Sequence, residues 1–147
     1  MGNKQELIER LSPMLKEKGY KKVKQTWHKQ NSDLIIVFNI QNSSYSKEDY
    51  YINLGIIIKE LMDEHDGICI TNCQIQQRVP TTDTNGIILP PEILLNILNL
   101  WEQWYGNLHS LRIKAIEGKL PITSTGQAVS FLTTVAFGPT GLKNIHE

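Results

Sequence analysis

The chain has 147 residues, 15 Lys and Arg against 15 Asp and Glu, and a formal net charge of zero. That length suits one domain burying about two thirds of its unfolded surface, and 40% hydrophobic content with ordinary glycine and proline excludes a disordered chain and a fibre. Zero net charge removes the bulk electrostatic case for nucleic acid or an anionic membrane.

The N-terminus, MGNKQELIERL, has no uninterrupted apolar run, and Glu6 stands where a myristoylation pattern after Gly2 wants Ser or Thr. The longest uncharged stretch, Leu120 to Leu142, is broken by Thr, Ser, Gln, Gly and Pro, short of the ~20 mostly apolar residues of a spanning helix. A cytoplasmic protein with no membrane partner is the expectation.

Residues 3–18 predict an amphipathic helix, because Leu7, Ile8, Leu11 and Leu15 recur at spacings of three and four. Asn3 with Glu6 resembles a capping box, and Gly19 sits where a helix end wants a left-handed residue. Pro13 implies a kink, or a start moved to about Ser12. From Tyr20 to Val79 the period changes to two. Residues 20–29, 34–41, 50–58 and 68–79 read as four strands, most simply an antiparallel meander. Asn42 to Lys47 and Thr81 to Gly86 read as loops.

Pro90-Pro91 opens the next helix. Leu94, Ile97, Trp101, Trp104, Leu108, Leu111 and Ala115 then keep a strict 3,4,3,4 spacing, which favours one long helix over 92–117. Gly106-Asn107 offers a break into two. The expected fold is therefore α+β and two-layered: a four-stranded antiparallel meander covered on one face by an N-terminal helix and a long C-terminal helix. Residues 1–120 form the domain. Residues 121–147, uncharged through Leu142, form an extension or arm, with Ala128–Phe137 open between strand, helix and docking arm.

Side chains alternate faces along a strand. With even positions of 34–58 inward, Asn39, Gln41, Tyr51 and Asn53 share the outer face, joined by Asn72, Gln74, Gln76 and Arg78. Placing Val23 and Trp27 inward adds Lys22, Lys24, Thr26 and His28. The resulting surface is rich in carboxamides, with three fixed positive charges and no carboxylate. Amides offer donors and acceptors, and Arg78 a planar donor fork. A polar outer face is also what any two-layer sheet needs.

Neutrality is a cancellation between segments. Residues 1–30 carry 8 positive and 3 negative charges, residues 31–66 carry 2 and 7, and the rest 5 and 5. A locally basic face for an acidic partner is therefore compatible with a neutral chain.

Chemical motifs are sparse. Glu60, Asp63, Glu64, His65 and Asp66 supply oxygen ligands without the order of a calcium loop, and read as a solvated stretch. Cys69 and Cys73 on one strand would stand roughly 13 Å apart, too far to bridge, and read as small buried hydrophobes. Gly138-Pro139-Thr140-Gly141-Leu142-Lys143 has the wrong spacing for a phosphate loop. No nucleophile, base and orienter assemble, so no catalytic residue, metal or cofactor is expected, and an enzyme is disfavoured.

The run Leu34-Ile35-Ile36-Val37-Phe38-Asn39-Ile40-Gln41-Asn42-Ser43, then Tyr51-Ile52-Asn53-Leu54-Gly55, then Cys73-Gln74-Ile75-Gln76-Gln77-Arg78, resembles the mostly bacterial domain-of-unknown-function family 4304. Gly19-Tyr20-Lys21-Lys22 after the leading helix fits the same pattern. The likeness covers about residues 5–80. It implies an uncharacterised cytoplasmic α+β domain with recurrent Gln41, Asn53 and Arg78 positions.

Three functions are expected from these features. The first is a protein-interaction module, including the immunity type that holds a toxin, meeting an acidic partner on the outer face. The second is a small hydrolase or nucleotide-handling enzyme using residues 60–66 or His28. The third is a homodimer through Trp101 and Trp104. Nucleic acid is not an expected partner.

Overall fold

A computed structural model of the protein describes residues 4–44, 49–63 and 65–137. The Asn3 cap, residues 45–48 of the polar loop, Glu64 and the Gly138–Lys143 run lie outside them. Helix α1, Lys4–Glu17, runs through Pro13 and buries Leu7, Ile8, Leu11 and Leu15. It stops at Gly19, φ 95°, where the Gly19 amide donates to Lys16 O and the Tyr20 amide to Leu15 O, each at 3.0 Å. A residue without Cβ takes that left-handed turn without strain.

The sheet has five strands where four were expected. They are β1 (Lys21–Val23), β2 (Thr26–Gln30), β3 (Leu34–Asn42), β4 (Tyr50–Ile58) and β5 (Ile75–Val79), antiparallel and in chain order. The extra strand arises because residues 20–29 fold back on themselves. Val23 pairs with Thr26 and Lys22 with Trp27, leaving Lys24 and Gln25 as a two-residue turn with Lys24 at φ 58°. No glycine marks this turn, so the alternation reads as one continuous strand.

That turn also reverses the expected facing. Trp27 is buried, and Lys22 opposite it shares its face, with the ammonium 5.4 Å from the indole centroid. Val23, expected inward, is 61% exposed. Lys24 belongs to the turn and to neither face.

Even positions of β3 and β4, from Leu34 to Ile40 and Ile52 to Ile58, join Trp27, Ile75 and Val79 in the main core. The helices cover this face. One long helix over 92–117 gives way to α2 (Pro91–Tyr105) and α3 (Leu108–Ile116). The Gly106 amide closes α2 on Glu102 O at 2.8 Å, and the Asn107 side chain accepts the Ser110 amide at 2.8 Å to open α3. An asparagine cap satisfies a helix-start amide that a continuous helix would not expose. The buried stripe of α2 also differs from the expected one, running through Leu94, Leu98, Trp101 and Tyr105. Leu98 and Tyr105 are core residues, whereas Trp104 is 40% exposed.

After Pro121 the chain forms α4 (Gly126–Phe137), whose Ala128 and Leu132 enter the same core, which thus continues past residue 120. Just before α4, the Thr125 amide donates to Gln74 O at 2.8 Å and the Thr123 hydroxyl to Gln76 O, dressing the outer edge of β5. Among the described residues no helix is long and apolar enough to cross a membrane.

One ionic cluster ties α2 to the N-terminal half. Glu102 accepts from Tyr20 Oη at 2.5 Å and pairs with Lys18 at 3.2 Å and Lys29 at 3.3 Å. Burial pushes the Glu102 carboxyl up, but the Tyr20 and Lys18 hydrogen bonds and the two ammonium charges outweigh it, so its pKa lies below the ordinary 4.5. A depressed acid stabilises the fold above its unfolded pKa, and that contribution is lost as pH falls through the folded value. Glu102→Gln should therefore cost about 2 kcal/mol near neutrality, with the gap to wild type closing below pH 4.5. Urea midpoints at neutral and acid pH measure this; parallel loss in both proteins would contradict it.

Candidate binding face

The outer face of the sheet divides into a closed half and an open half. Ile35, Val37, Ile57 and Cys73 form a second apolar cluster, roofed by Met62, Ile68 and Ile70 from the β4–β5 connection. Residues 68–79 are therefore not one strand. A single 3₁₀ turn, Ile70–Asn72, precedes β5, and Cys69 and Cys73 flank it, with the Cys73 thiol 3.5 Å from Cys69 O. Cys73 is buried, and burial, then Cys69, pushes its thiol up; Cys69 is half-buried. Gly55 makes room for this roof, since a Cβ there would lie 2.4 Å from Cys73 Sγ and 2.8 Å from Ile70 Cδ1.

Three amides expected on the open surface serve the connection instead. Gln74 is buried and accepts the Ile58 amide at 2.8 Å. Asn72 donates to Gly67 O at 2.8 Å and Gln76 to Cys73 O at 3.1 Å. A peptide that leaves the sheet and returns has unpaired backbone groups, and these side chains satisfy some of them.

On the open half, pairing brings one residue from each of four strands into a row. Asn39 pairs with Thr26 on one side and Asn53 on the other, and Asn53 pairs with Arg78. Asn39 Nδ2 donates to Thr26 Oγ1, and Asn53 Nδ2 to both Asn39 Oδ1 and Gln41 Oε1, each at 3.0 Å. Arg78 Nε donates to Asn53 Oδ1 at 3.3 Å and Nη2 to Gln41 Oε1 at 3.2 Å. Its guanidinium carbon stands 4.1 Å from the Tyr51 ring centroid.

Arg78 is thus clamped between two neutral carbonyl oxygens and an aromatic ring, and the residue remains exposed. Among the described residues it forms no ion pair. Neutral acceptors orient the fork without cancelling its charge, so donors remain for a carboxylate.

His28 lies on this outer face, paired with Val37, and burial, then the Lys21 charge, lowers its pKa. Lys21, directly opposite His28, supplies the second strand cation of the face in place of Lys22 and Lys24. Thr26 and His28 stand on the outer face as expected, whereas Lys21 takes a part that facing predicted from an unbroken strand leaves unused, because no glycine marks the turn at Lys24.

In the acidic stretch, Asp66 accepts the Asp63 amide at 3.0 Å and Asp63 the His65 amide at 3.3 Å, so both carboxylates hold the local turn. Among the described residues no group of three or more His, Cys, Asp or Glu is placed to hold a metal. The two tryptophans separate. Trp101 is buried, its indole N–H 3.4 Å from Gly55 O, while Lys114 covers Trp104 with its ammonium 3.9 Å from the ring centroid.

Helices on one side of an antiparallel sheet and a clamped guanidinium on the other define an α+β protein with a built polar face. The chain belongs to the family described as Domain of unknown function (DUF4304), whose match spans residues 11–89, more than half its length. No curated protein and no solved structure matches it. The matched span holds all five strands and the whole row from Thr26 to Arg78, and ends before α2.

Proposed function

We propose that this protein is a cytoplasmic protein-interaction module that receives a carboxylate of an acidic protein partner on Arg78, with Gln41, Tyr51 and Asn53 fixing the guanidinium. An immunity-type role, in which the face occupies a toxin, is one partnership of this chemistry. The observation that carries the reading is the exposed guanidinium oriented entirely by neutral groups. A pre-oriented arginine loses little entropy on binding, and arginine and tyrosine are both enriched among the residues that carry interface binding energy. Asn39 and Thr26 brace Asn53, and Lys21 and His28 extend the face.

Affinity purification with wild type, Arg78→Ala and Arg78→Lys tests the proposal. A partner retained by wild type should be lost with Arg78→Ala, only partly recovered by Arg78→Lys, and released by raised salt, while the melting temperature moves little. The same proteins retained by all three would sink it. Self-association is the second reading, favoured by exposed Leu100 and Trp104 beside an apolar groove of about 260 Å³ between α2 and β5, whose wall the buried Trp101 also lines. Light scattering of a strict monomer at high concentration removes that reading.

A further inference from the structure

At the end of the sheet where β2 turns into β3, a cavity of about 290 Å³ lies between the Ser32–Asp33 turn, Lys59 and Glu60 after β4, and helices α3 and α4. Ile58, Leu108 and Phe131 form its apolar wall, and Asp33, Lys59, Glu60 and Arg112 its charged one. It approaches the size of a small-molecule site.

Arg112 is the unusual member. Its Nε is fully buried without a hydrogen-bond partner, alone in this among side-chain atoms of the described residues. Its guanidinium carbon stands 5.9 Å from the Phe131 ring centroid. Asp33 and Glu60 line the same cavity, yet neither pairs with Arg112 among the described residues. Lys59 is already engaged, its ammonium 2.5 Å from Asn31 O. An orphaned buried donor is costly, whereas the Asp33 and Glu60 carboxylates are exposed and hydrated, open to a cation that enters the cavity.

We propose that this cavity binds a small zwitterion, a free amino acid or a short peptide. The carboxylate goes to the Arg112 fork, the ammonium to Asp33 and Glu60, and the side chain to Leu108 and Phe131. A planar fork suits a carboxylate. A polyanion such as a nucleotide phosphate would face two carboxylates, and a simple fatty acid would leave them without a counter-charge. The site is separate from Arg78 and does not depend on the partner proposed above.

Thermal shift and titration calorimetry on the full chain test this, with L-leucine and glycyl-L-leucine at millimolar concentration. N-acetyl and C-terminal amide forms of each serve as controls, because binding confined to the folded state raises its melting temperature. At least one zwitterion should raise it, and blocking either end should abolish the rise. Arg112→Met should weaken binding by about tenfold or more while leaving the ligand-free melting temperature unchanged or higher, since the orphaned donor is gone. Glu60→Gln should weaken the zwitterion as well. No response to either zwitterion, an equal response to the blocked forms, or undiminished binding by Arg112→Met would each overturn the proposal.

Discussion

Gly55→Val is expected to destabilise the protein by about 3 kcal/mol and to lift Ile70–Cys73 from the sheet. Strand propensity alone argues the other way, since valine is preferred to glycine on a pleated strand by about 1 kcal/mol. Sterics decide the sign. The new Cβ would stand 2.4 Å from Cys73 Sγ and 2.8 Å from Ile70 Cδ1, and the second lies in the roof over Ile35, Val37 and Ile57. Relief on the strand side is limited, because the Gly55 carbonyl faces the Trp101 indole N–H at 3.4 Å. Two measurements report on this. The urea midpoint should fall, and Cys73, a buried thiol held protonated, should become open to alkylation in a Cys69→Ser background. An unchanged midpoint with Cys73 still protected would show that the connection is not seated as described.

Asn53→Leu should cost about 2 kcal/mol, a fall in melting temperature of about 4–8 °C for a chain of this size. Asn53 is 7% exposed and bonds three neighbours at once. Its loss orphans Asn39 Oδ1 and Arg78 Nε. Gln41 keeps Arg78, and Asn39 keeps Thr26, which bounds the damage. Asn53→Asp separates orientation from charge. It retains an acceptor for Arg78 but loses both donations and places a negative charge beside the guanidinium. Partner binding should therefore vanish in Asn53→Asp even though Arg78 is present. Full retention of a partner by both variants would remove the clamp from the account of binding, whatever happens to stability.

The central strands were legible because each has one face that must be dry. Leu34, Ile36, Phe38 and Ile40, with Ile52 to Ile58, alternate so regularly that their facing follows from the pleat alone. Asn39, Gln41, Tyr51, Asn53 and Arg78 could be gathered on one surface by the same parity. Their bonding could not, since who meets whom depends on register across strands. The failures have local causes. Residues 68–74 read as strand because they are rich in apolar side chains, but Ile68 and Ile70 pack as a roof on the cluster holding Cys73, from a connection with a 3₁₀ turn and not from a ladder. Ile97 and Trp104 match the helical period as well as Leu98 and Tyr105 do, and only a stripe obliged to run on to Leu108 and Leu111 in one helix prefers the first pair; with α2 ending at Tyr105 that obligation is gone. The Arg112 cavity had no signature in the sequence, because its walls come from four distant segments.

The turn at Lys24 and Gln25 makes the outer face editable from the edge. β1 has three residues and pairs with β2 alone, so its register depends on the length of that turn. One residue inserted or removed there would exchange neighbours by one step. An insertion would set Lys22 opposite His28 and Val23 opposite Trp27, and a deletion would set Lys22 opposite Thr26 and Lys21 opposite Trp27. The row from Asn39 to Arg78 would stay intact, being held by β2 to β5. Charge and greasiness at the rim can thus drift while the grip at the centre is kept, a separable adjustment for a surface that has to distinguish one partner from another.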